Sequence, residues 1–160
     1  MELLGVRVEL PANTPVVMLR EDDERARVLP ILIGGPEAAA IHSAMEGIVP
    51  PRPLTHDLTV TMFQALGAVL ERVVITEVRD HTFYAELHFR TASGQTVVSS
   101  RPSDAIALAV RTDADIFAEE SLLDEAAIEA PEPDDDDDEE AILDEFRDFL
   151  DDITPDDFAS

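Results

Sequence analysis

The stretch that most constrains the fold of this chain is residues 101–110, which read RPSDAIALAV. Six consecutive apolar residues, 105–110, follow a short polar start, so a helix formed here has almost no polar face for water. A helix that is apolar on all sides belongs in the middle of a fold. Its first turn carries a proline, an arginine and two possible capping residues, Ser103 and Asp104. The stretch therefore predicts a buried helix whose start is either a structural anchor or an anion-binding site.

Charge is distributed unevenly along the 160 residues, a length that indicates one domain with appendages. Residues 1–120 contain 18 acidic residues and 10 arginines, whereas residues 121–160 contain 18 acidic residues and one arginine, and the chain has no lysine. Proteins that bind nucleic acid or anionic membranes gain much of their binding free energy by neutralising phosphates. The composition therefore argues against both partners, unless an arginine cluster or divalent cations reverse the charge locally.

Residue usage also limits the chemistry and the location. The chain contains no cysteine, which excludes disulfides, thiolate metal sites and cysteine nucleophiles. No apolar run approaches the roughly 20 residues that span a bilayer. The first residues, MELLG, lack the basic start and long apolar stretch of a signal peptide. The sequence therefore predicts a cytoplasmic protein without a membrane partner.

Apolar periodicity and turn residues predict the order of strands and helices. Strands are expected at residues 3–10, 16–20, 27–33, 69–78, 82–90, 95–100 and 116–118. Helices are expected at residues 36–46, 57–66 and 101–110, with a helical turn from residue 121. Alternation places Leu4 and Val6 on one face of the first strand and Leu3 on the other, and Thr55 is the expected cap of the second helix. The proline-rich segment 48–53 fits neither a helix nor a central strand.

A hairpin followed by a helix is predicted twice, in residues 16–46 and 83–110. In each unit a proline opens the helix shortly before a carboxylate, Glu37 in the first and Asp104 in the second. Small residues follow and permit close approach of the helices. The pattern predicts an α+β fold with a mixed, mainly antiparallel sheet and two helices from a duplicated ββα unit, followed by an acidic C-terminal tail.

The character of the chain changes after residue 129, which divides it into a domain (1–129), an acidic linker (130–140) and a terminal segment (141–160). The linker is expected to be disordered because its consecutive acidic residues repel one another. In the terminal segment, apolar residues recur on one side of a predicted short helix: Ile142, Phe146, Phe149, Leu150 and Ile153. Such a short helix is marginal alone in water. It is expected to dock on its own domain or a sister subunit, or else to recruit a partner.

Familiar nucleophile, phosphate-loop and zinc motifs are absent, among them GxSxG, GK[ST], HExxH and GxGxxG. A weaker constellation is Thr55-His56-Asp57, in which a histidine beside an aspartate at a helix start suits a general base or a metal ligand. In the structural alternative, Asp57 meets the helix dipole and His56 is a surface residue. Neighbouring residues on a helix point in different directions, so His56 and Asp57 cannot act simply as a pair.

A second constellation is Arg101 with Ser103 and Asp104. Free backbone N–H groups at a helix start, together with an arginine, suit a phosphate, and Asp104 is a possible oxygen ligand for a divalent cation. The structural alternative is a helix cap with an internal bridge from Arg101 to Glu37, Asp57 or another acid. The residues alone leave both interpretations open.

Several longer motifs carry a family resemblance: residues 29–34 (LPILIG), 50–58 (PPRPLTHDL), 83–87 (FYAEL) and 101–109 (RPSDAIALA). With these in place, residues 4–127 resemble the bifunctional nuclease family, formerly a domain of unknown function. The acidic tail with a short terminal helix resembles actinobacterial members. One departure is Asp80-His81, where the family usually has Asp-Gly, so the glycine suited to positive φ is lost.

The resemblance implies an α+β domain that associates as a homodimer or higher oligomer, and cleavage of both RNA and DNA, the activity described for plant members. It does not supply a certain catalytic set, and the polar motif positions are therefore the candidates. Hypothetically, Asp57 and Asp104 hold Mg²⁺ or Mn²⁺ and His56 acts as base. The candidates for substrate binding are Arg52, Arg101 and Ser103.

The alternative to a nuclease is a non-catalytic regulatory or interaction module that binds a small anion or a partner chain. The acidic balance and the absence of a strong catalytic motif favour it. A third possibility combines the two, with the acidic tail mimicking phosphate and masking an arginine surface.

Overall fold

Seven strands and four helices order most of the chain in the computed structural model, which describes residues 1–9 and 13–129. The strands are β1 (Glu2–Glu9), β2 (Thr14–Arg20), β3 (Val28–Leu32), β4 (Val69–Arg79), β5 (Thr82–Thr91), β6 (Gly94–Ser100) and β7 (Asp115–Ala118). The helices are α1 (Gly35–Met45), α2 (Thr55–Ala65), α3 (Pro102–Thr112) and α4 (Glu120–Ala126). The predicted linker and terminal helix, residues 130–160, lie outside the described residues. Among the described residues, no helix is long and apolar enough to cross a membrane.

The strands form two sheets. One contains β1, β2 and β3 in that order, and the other has the order β6-β5-β4-β7. All neighbours are antiparallel except β7, which is parallel to β4. A parallel neighbour requires a crossover connection, and β5, β6 and α3 provide it. The α+β class with mixed and mainly antiparallel pairing is confirmed, although the strands are divided between two sheets.

Helix α3 lies in the hydrophobic core, as its uninterrupted apolar sequence predicted. Of its eleven residues, all of them described, seven are buried, including Ser103 and the run 105–109. It packs against α1, α2 and both central strands of the larger sheet, β4 and β5. Burial of a side chain such as Ile106 contributes about 1.5–3 kcal/mol. The helix is therefore a structural anchor, whatever its first turn binds.

The predicted repeat is present as two hairpin–helix units, β2-β3-α1 and β5-β6-α3. Their hairpins lie in different sheets, whereas their helices pack against each other. Among the described side chains of α1, only Ala38 and Ile41 are buried. Because α1 and α3 are rich in alanine at this contact, they bring the two sheets into one continuous core and place the two helix starts close together.

Two local predictions were wrong. A bulge at Leu4 turns its side chain outward and packs Leu3 against the core, because one extra residue in a strand moves the residues before it to the opposite face. Helix α2 begins at Thr55 itself, with Leu54 at the N-cap position. The backbone N–H of Leu54 donates instead to Asp57 Oδ2, at 2.9 Å.

Candidate active site at the start of helix α3

Four polar side chains meet at the start of α3, and we refer to Glu37, His56, Arg101 and Asp104 as the α3 cluster. His56 Nε2 lies 3.0 Å from Asp104 Oδ1. Arg101 donates to both oxygens of the same carboxylate, at 2.8 Å from Nε and 3.1 Å from Nη2. Its Nη1 lies 3.0 Å from Glu37 Oε1. Side chains from α1 and α3 thus contact the Arg101 guanidinium, and His56 from α2 joins them through Asp104.

Local sequence explains how α1 and α3 present these groups. A proline in the first turn of each helix fixes φ for helix entry. Gly34 precedes α1, and a Cβ at this position would collide with Glu37 Oε2. The absence of a side chain at Gly34 therefore allows the Glu37 carboxylate to fold back over the chain and face Arg101.

The charge states of the α3 cluster follow from its contacts. Burial of the Asp104 carboxyl alone would raise its pKa, but the hydrogen bonds from Arg101 and His56 outweigh burial and hold the pKa below the usual 3.8. The hydrogen bond to Asp104 raises the pKa of Arg101 above its ordinary value. At neutral pH the imidazole of His56, only 15% exposed, therefore faces a fixed carboxylate.

Asp57 belongs to a second, separate network. Its Oδ1 accepts a hydrogen bond from Arg111 Nε at 2.6 Å, and this hydrogen bond lowers the pKa of Asp57 below 3.8. Arg111 Nη1 also donates to the carbonyl oxygens of Ala40, at 3.1 Å, and Ala107, at 2.9 Å. Arg111 thus joins α1, α2 and α3, and the structure directs Asp57 away from the α3 cluster.

The predicted metal ligands do not fit a shared divalent cation in this arrangement. Both oxygens of Asp57 accept hydrogen bonds, one from Arg111 and one from the chain at the start of α2. Both oxygens of Asp104 accept from Arg101. Within the described part of the chain, no group of three histidine, aspartate or glutamate residues is placed to hold a metal ion. Arginines already neutralise both carboxylates, so the pair lacks the free charge that attracts a divalent cation.

A cleft of about 350 Å³ opens beside the α3 cluster. Glu37, Arg101 and Ser103 are among the residues that line it, whereas His56 and Asp104 are not. The Arg101 side chain is 65% exposed. Three of its five N–H groups face carboxylates, and the other two have no carboxylate partner among the described residues.

Backbone donors add to the same region. Arg101 occupies the N-cap position of α3, and no side chain in the described residues makes a capping hydrogen bond there. The predicted capping by Ser103 or Asp104 was therefore wrong, while the predicted internal bridge from Arg101 to Glu37 is present. The first helical hydrogen bond runs from Ala105 N to the Arg101 carbonyl, so the two preceding N–H groups have no acceptor within the helix.

His81 is a cleft residue that sequence reasoning missed. It lies in the two-residue turn between β4 and β5, where Asp80 and His81 have φ of 49° and 61°. Positive φ at both central residues defines the turn type in which glycine is usual. The substitution of histidine for the expected glycine was the available clue, since strained residues concentrate at functional sites.

The remaining candidate, Arg52, is exposed in the connection between α1 and α2. In the described residues no ion pair or hydrogen bond joins it to the α3 cluster. Ion pairs engage seven of the ten arginines in residues 1–9 and 13–129. The three without a carboxylate partner among these residues are Arg7, Arg52 and Arg72.

Sequence comparison with known proteins identifies the family to which the chain belongs. A sequence profile described as the bifunctional nuclease domain matches residues 17–131. An uncharacterized protein of Mycobacterium tuberculosis, called Rv1829 in strain H37Rv and MT1877 in strain CDC 1551, is 43% identical over 162 residues that cover 99% of this chain and 96% of the relative. Bifunctional nuclease 2 of Oryza sativa subsp. japonica is 26% identical over 132 residues, or 81% of this chain and 41% of that protein. The profile covers the α3 cluster and the Asp57–Arg111 network, and the chain belongs to the bifunctional nuclease domain family.

Proposed function

We propose that this chain is a nuclease that cleaves phosphodiester bonds of RNA and DNA at the α3 cluster. The observation that carries the proposal is the contact chain from His56 through Asp104 to Arg101. A histidine oriented by a carboxylate suits proton transfer, and an exposed arginine beside a cleft suits a phosphate. Family membership and the name of the rice relative support the same chemistry.

In the proposed reaction, His56 takes a proton from a water molecule as the water oxygen bonds to phosphorus. The bond from phosphorus to the sugar oxygen breaks on the side opposite the attacking water, the leaving oxygen takes a proton from solvent, and His56 afterwards releases its proton to solvent. Asp104 keeps the imidazole ring oriented and stabilises its protonated form. Arg101 binds a phosphate oxygen and offsets the charge that develops there. Ser103 and the exposed Arg52 are the proposed further contacts to substrate.

Replacing Asp104 by asparagine tests this site directly. We expect the cleavage rate of single-stranded RNA and DNA to fall by about 10²-fold or more, because asparagine neither fixes the imidazole tautomer nor stabilises its charge. The matched control is Asp113→Asn at the other end of α3, where φ is 52° and asparagine is well tolerated. Assays with Mg²⁺, Mn²⁺ or EDTA test the predicted cation in the same experiment. If folded Asp104→Asn protein cleaves as fast as the unmodified chain, the proposed site is wrong.

A second candidate is a non-catalytic module that binds a small anion or a partner chain. It is favoured by the ion pairing that engages most described arginines, and by the two carboxylates that surround Arg101. Arg101 already pairs with the carboxylates of Glu37 and Asp104, which opposes binding of a polyanionic phosphate chain. Filter binding at low salt distinguishes the two functions, since the non-catalytic module would retain no nucleic acid even with metal.

We also propose that the chain forms a homo-oligomer through α2. Apolar side chains recur every four residues on the outer face of this helix, and all are exposed: Leu54, Leu58, Met62 and Leu66. Its inner face packs on the core, with the ring centroids of Phe63 and Phe89 5.1 Å apart. An apolar stripe of this length on one helix is typical of an interface between chains.

The Met62→Asp variant is expected to shift the oligomer toward monomer, because it places a charge in the middle of the apolar stripe. Sedimentation velocity over a range of protein concentrations measures the change. The control is Gln64→Asp, which adds the same charge to the exposed side of α2 away from the stripe. An unmodified chain that sediments as a monomer at every concentration would contradict the proposed interface.

A further inference from the structure

An apolar groove lies on the outer face of the three-stranded sheet. Side chains alternate along β2 and β3, so that Val17, Leu19, Leu29 and Ile31 enter the core, while their neighbours face the other way. The groove has a volume of about 490 Å³, and we refer to it as the sheet groove, lined by Arg7, Val8, Val16, Met18, Pro30, Leu32 and Ile128. Leu32 is 63% exposed. Two of the groove's lining residues, Leu32 and Ile128, are open to water, whereas Val16 is buried. Exposed apolar side chains that lie together favour a covering segment.

The described chain ends at this groove. After α4, Ile128 pairs with Val28 as an antiparallel bridge, with N···O distances of 2.8 Å in both directions. Ile128 thereby extends the edge of the sheet beside β3 and forms one wall of the groove. The remaining 31 residues of the chain therefore start from the rim of the groove.

We propose that residues 141–153 of the same chain cover the sheet groove. The sequence pattern predicts a helix here, with apolar residues on one side at positions 142, 146, 149, 150 and 153 and mostly acidic residues at the other positions. An apolar stripe of this width matches an apolar groove. Among the described residues that line the groove, Arg7 alone is charged. It has no carboxylate partner among the described residues, and an acidic segment supplies one.

Chain length is compatible with this return. Residues 130–140 span at most about 36–40 Å when extended. Because this linker starts beside the sheet groove, that length allows the following segment to reach back over the sheet. A short connection also gives the segment a local concentration on the order of millimolar. Weak apolar contacts are then sufficient for docking within one chain.

The natural chain has no tryptophan and no cysteine, so a single introduced tryptophan reports on the segment without background. In the Phe149→Trp chain, we expect blue-shifted emission and reduced quenching by acrylamide, both independent of protein concentration. Adding Leu32→Asp places a charge in the groove, and we expect about a tenfold loss of the docked population. Adding Val97→Asp, an exposed apolar position on β6 in the other sheet, should leave the emission unchanged.

Each other outcome overturns the proposal. Emission typical of a water-exposed indole shows that the segment is not docked. Protection that grows with protein concentration assigns the segment to the groove of a second copy. Protection that survives Leu32→Asp assigns it to another surface. Circular dichroism verifies that the Leu32→Asp chain is folded. We expect it to fold because Leu32 is exposed in the unmodified protein. None of these readouts depends on nuclease activity.

Discussion

Replacement of His56 by alanine is expected to lower the rate of phosphodiester cleavage by about 10²–10⁴-fold, the range typical of a lost general base. The imidazole is the group in the α3 cluster suited to exchange a proton with water, since Arg101 holds Asp104 as an anion and itself stays protonated. Single-turnover rates on labelled single-stranded RNA and DNA measure the loss. A large fall in the chemical step with little change in substrate affinity would identify proton transfer as the role.

The matched control for this prediction is His88→Ala. His88 Nε2 lies 3.1 Å from Glu86 Oε2, nearly the same separation as that between His56 and Asp104, but on β5, outside the α3 cluster. We expect this variant to cleave at the rate of the unmodified chain. Equal rates for the His56 and His88 variants, with unchanged thermal unfolding, would remove the α3 cluster from the mechanism. Equal cleavage rates for the unmodified chain, His56→Ala and His88→Ala would also point to a contaminating nuclease.

The Arg111→Met variant is expected to lose about 2–4 kcal/mol of folding free energy, or roughly 10 °C in Tm. Arg111 is only 10% exposed and connects Asp57 with carbonyl groups in α1 and α3. Methionine retains the packing of the aliphatic part of the arginine side chain but leaves the Asp57 carboxylate without its cation. Urea unfolding followed by circular dichroism measures the difference.

An exposed ion pair provides the comparison. The Arg90 Nε lies 2.7 Å from Glu71 Oε1, with both side chains open to water, so Arg90→Met should cost less than about 1 kcal/mol. A similarly small loss for Arg111→Met would show that Arg111 does not connect the three helices energetically.

The contribution of the Arg111–Asp57 pair has a defined pH dependence. The folded pKa of Asp57 lies below 3.8, with the hydrogen bond from Arg111 as the largest cause. A carboxyl whose pKa falls on folding stabilises the native state above its unfolded pKa, and this stabilisation disappears as the pH falls through the folded pKa. The stability difference between the unmodified chain and Arg111→Met should therefore be full at neutral pH and decrease below about pH 4.

Local sequence predicted most of the fold because each element is encoded at short range. The buried position of α3 follows from six apolar residues in a row, and the hairpin–helix repeat follows from turn residues and proline positions. The bulge at Leu4 was missed because a β-strand period of two contains no information about an extra residue. The capping of α2 was missed because Thr55 is a suitable cap by residue type, while the actual contact is made by Asp57.

The sequence by itself determined that the start of α3 and the start of α2 carry polar residues able to do chemistry, and that their motifs resemble one family. Only the tertiary structure decided how those residues are paired. His56 contacts Asp104 across 48 residues of chain, and Asp57 contacts Arg111 across 54. Adjacent side chains on α2 thus enter different networks, since successive helical residues point about 100° apart. Which cation meets which carboxylate depends on how α1, α2 and α3 pack, and no local pattern encodes that choice.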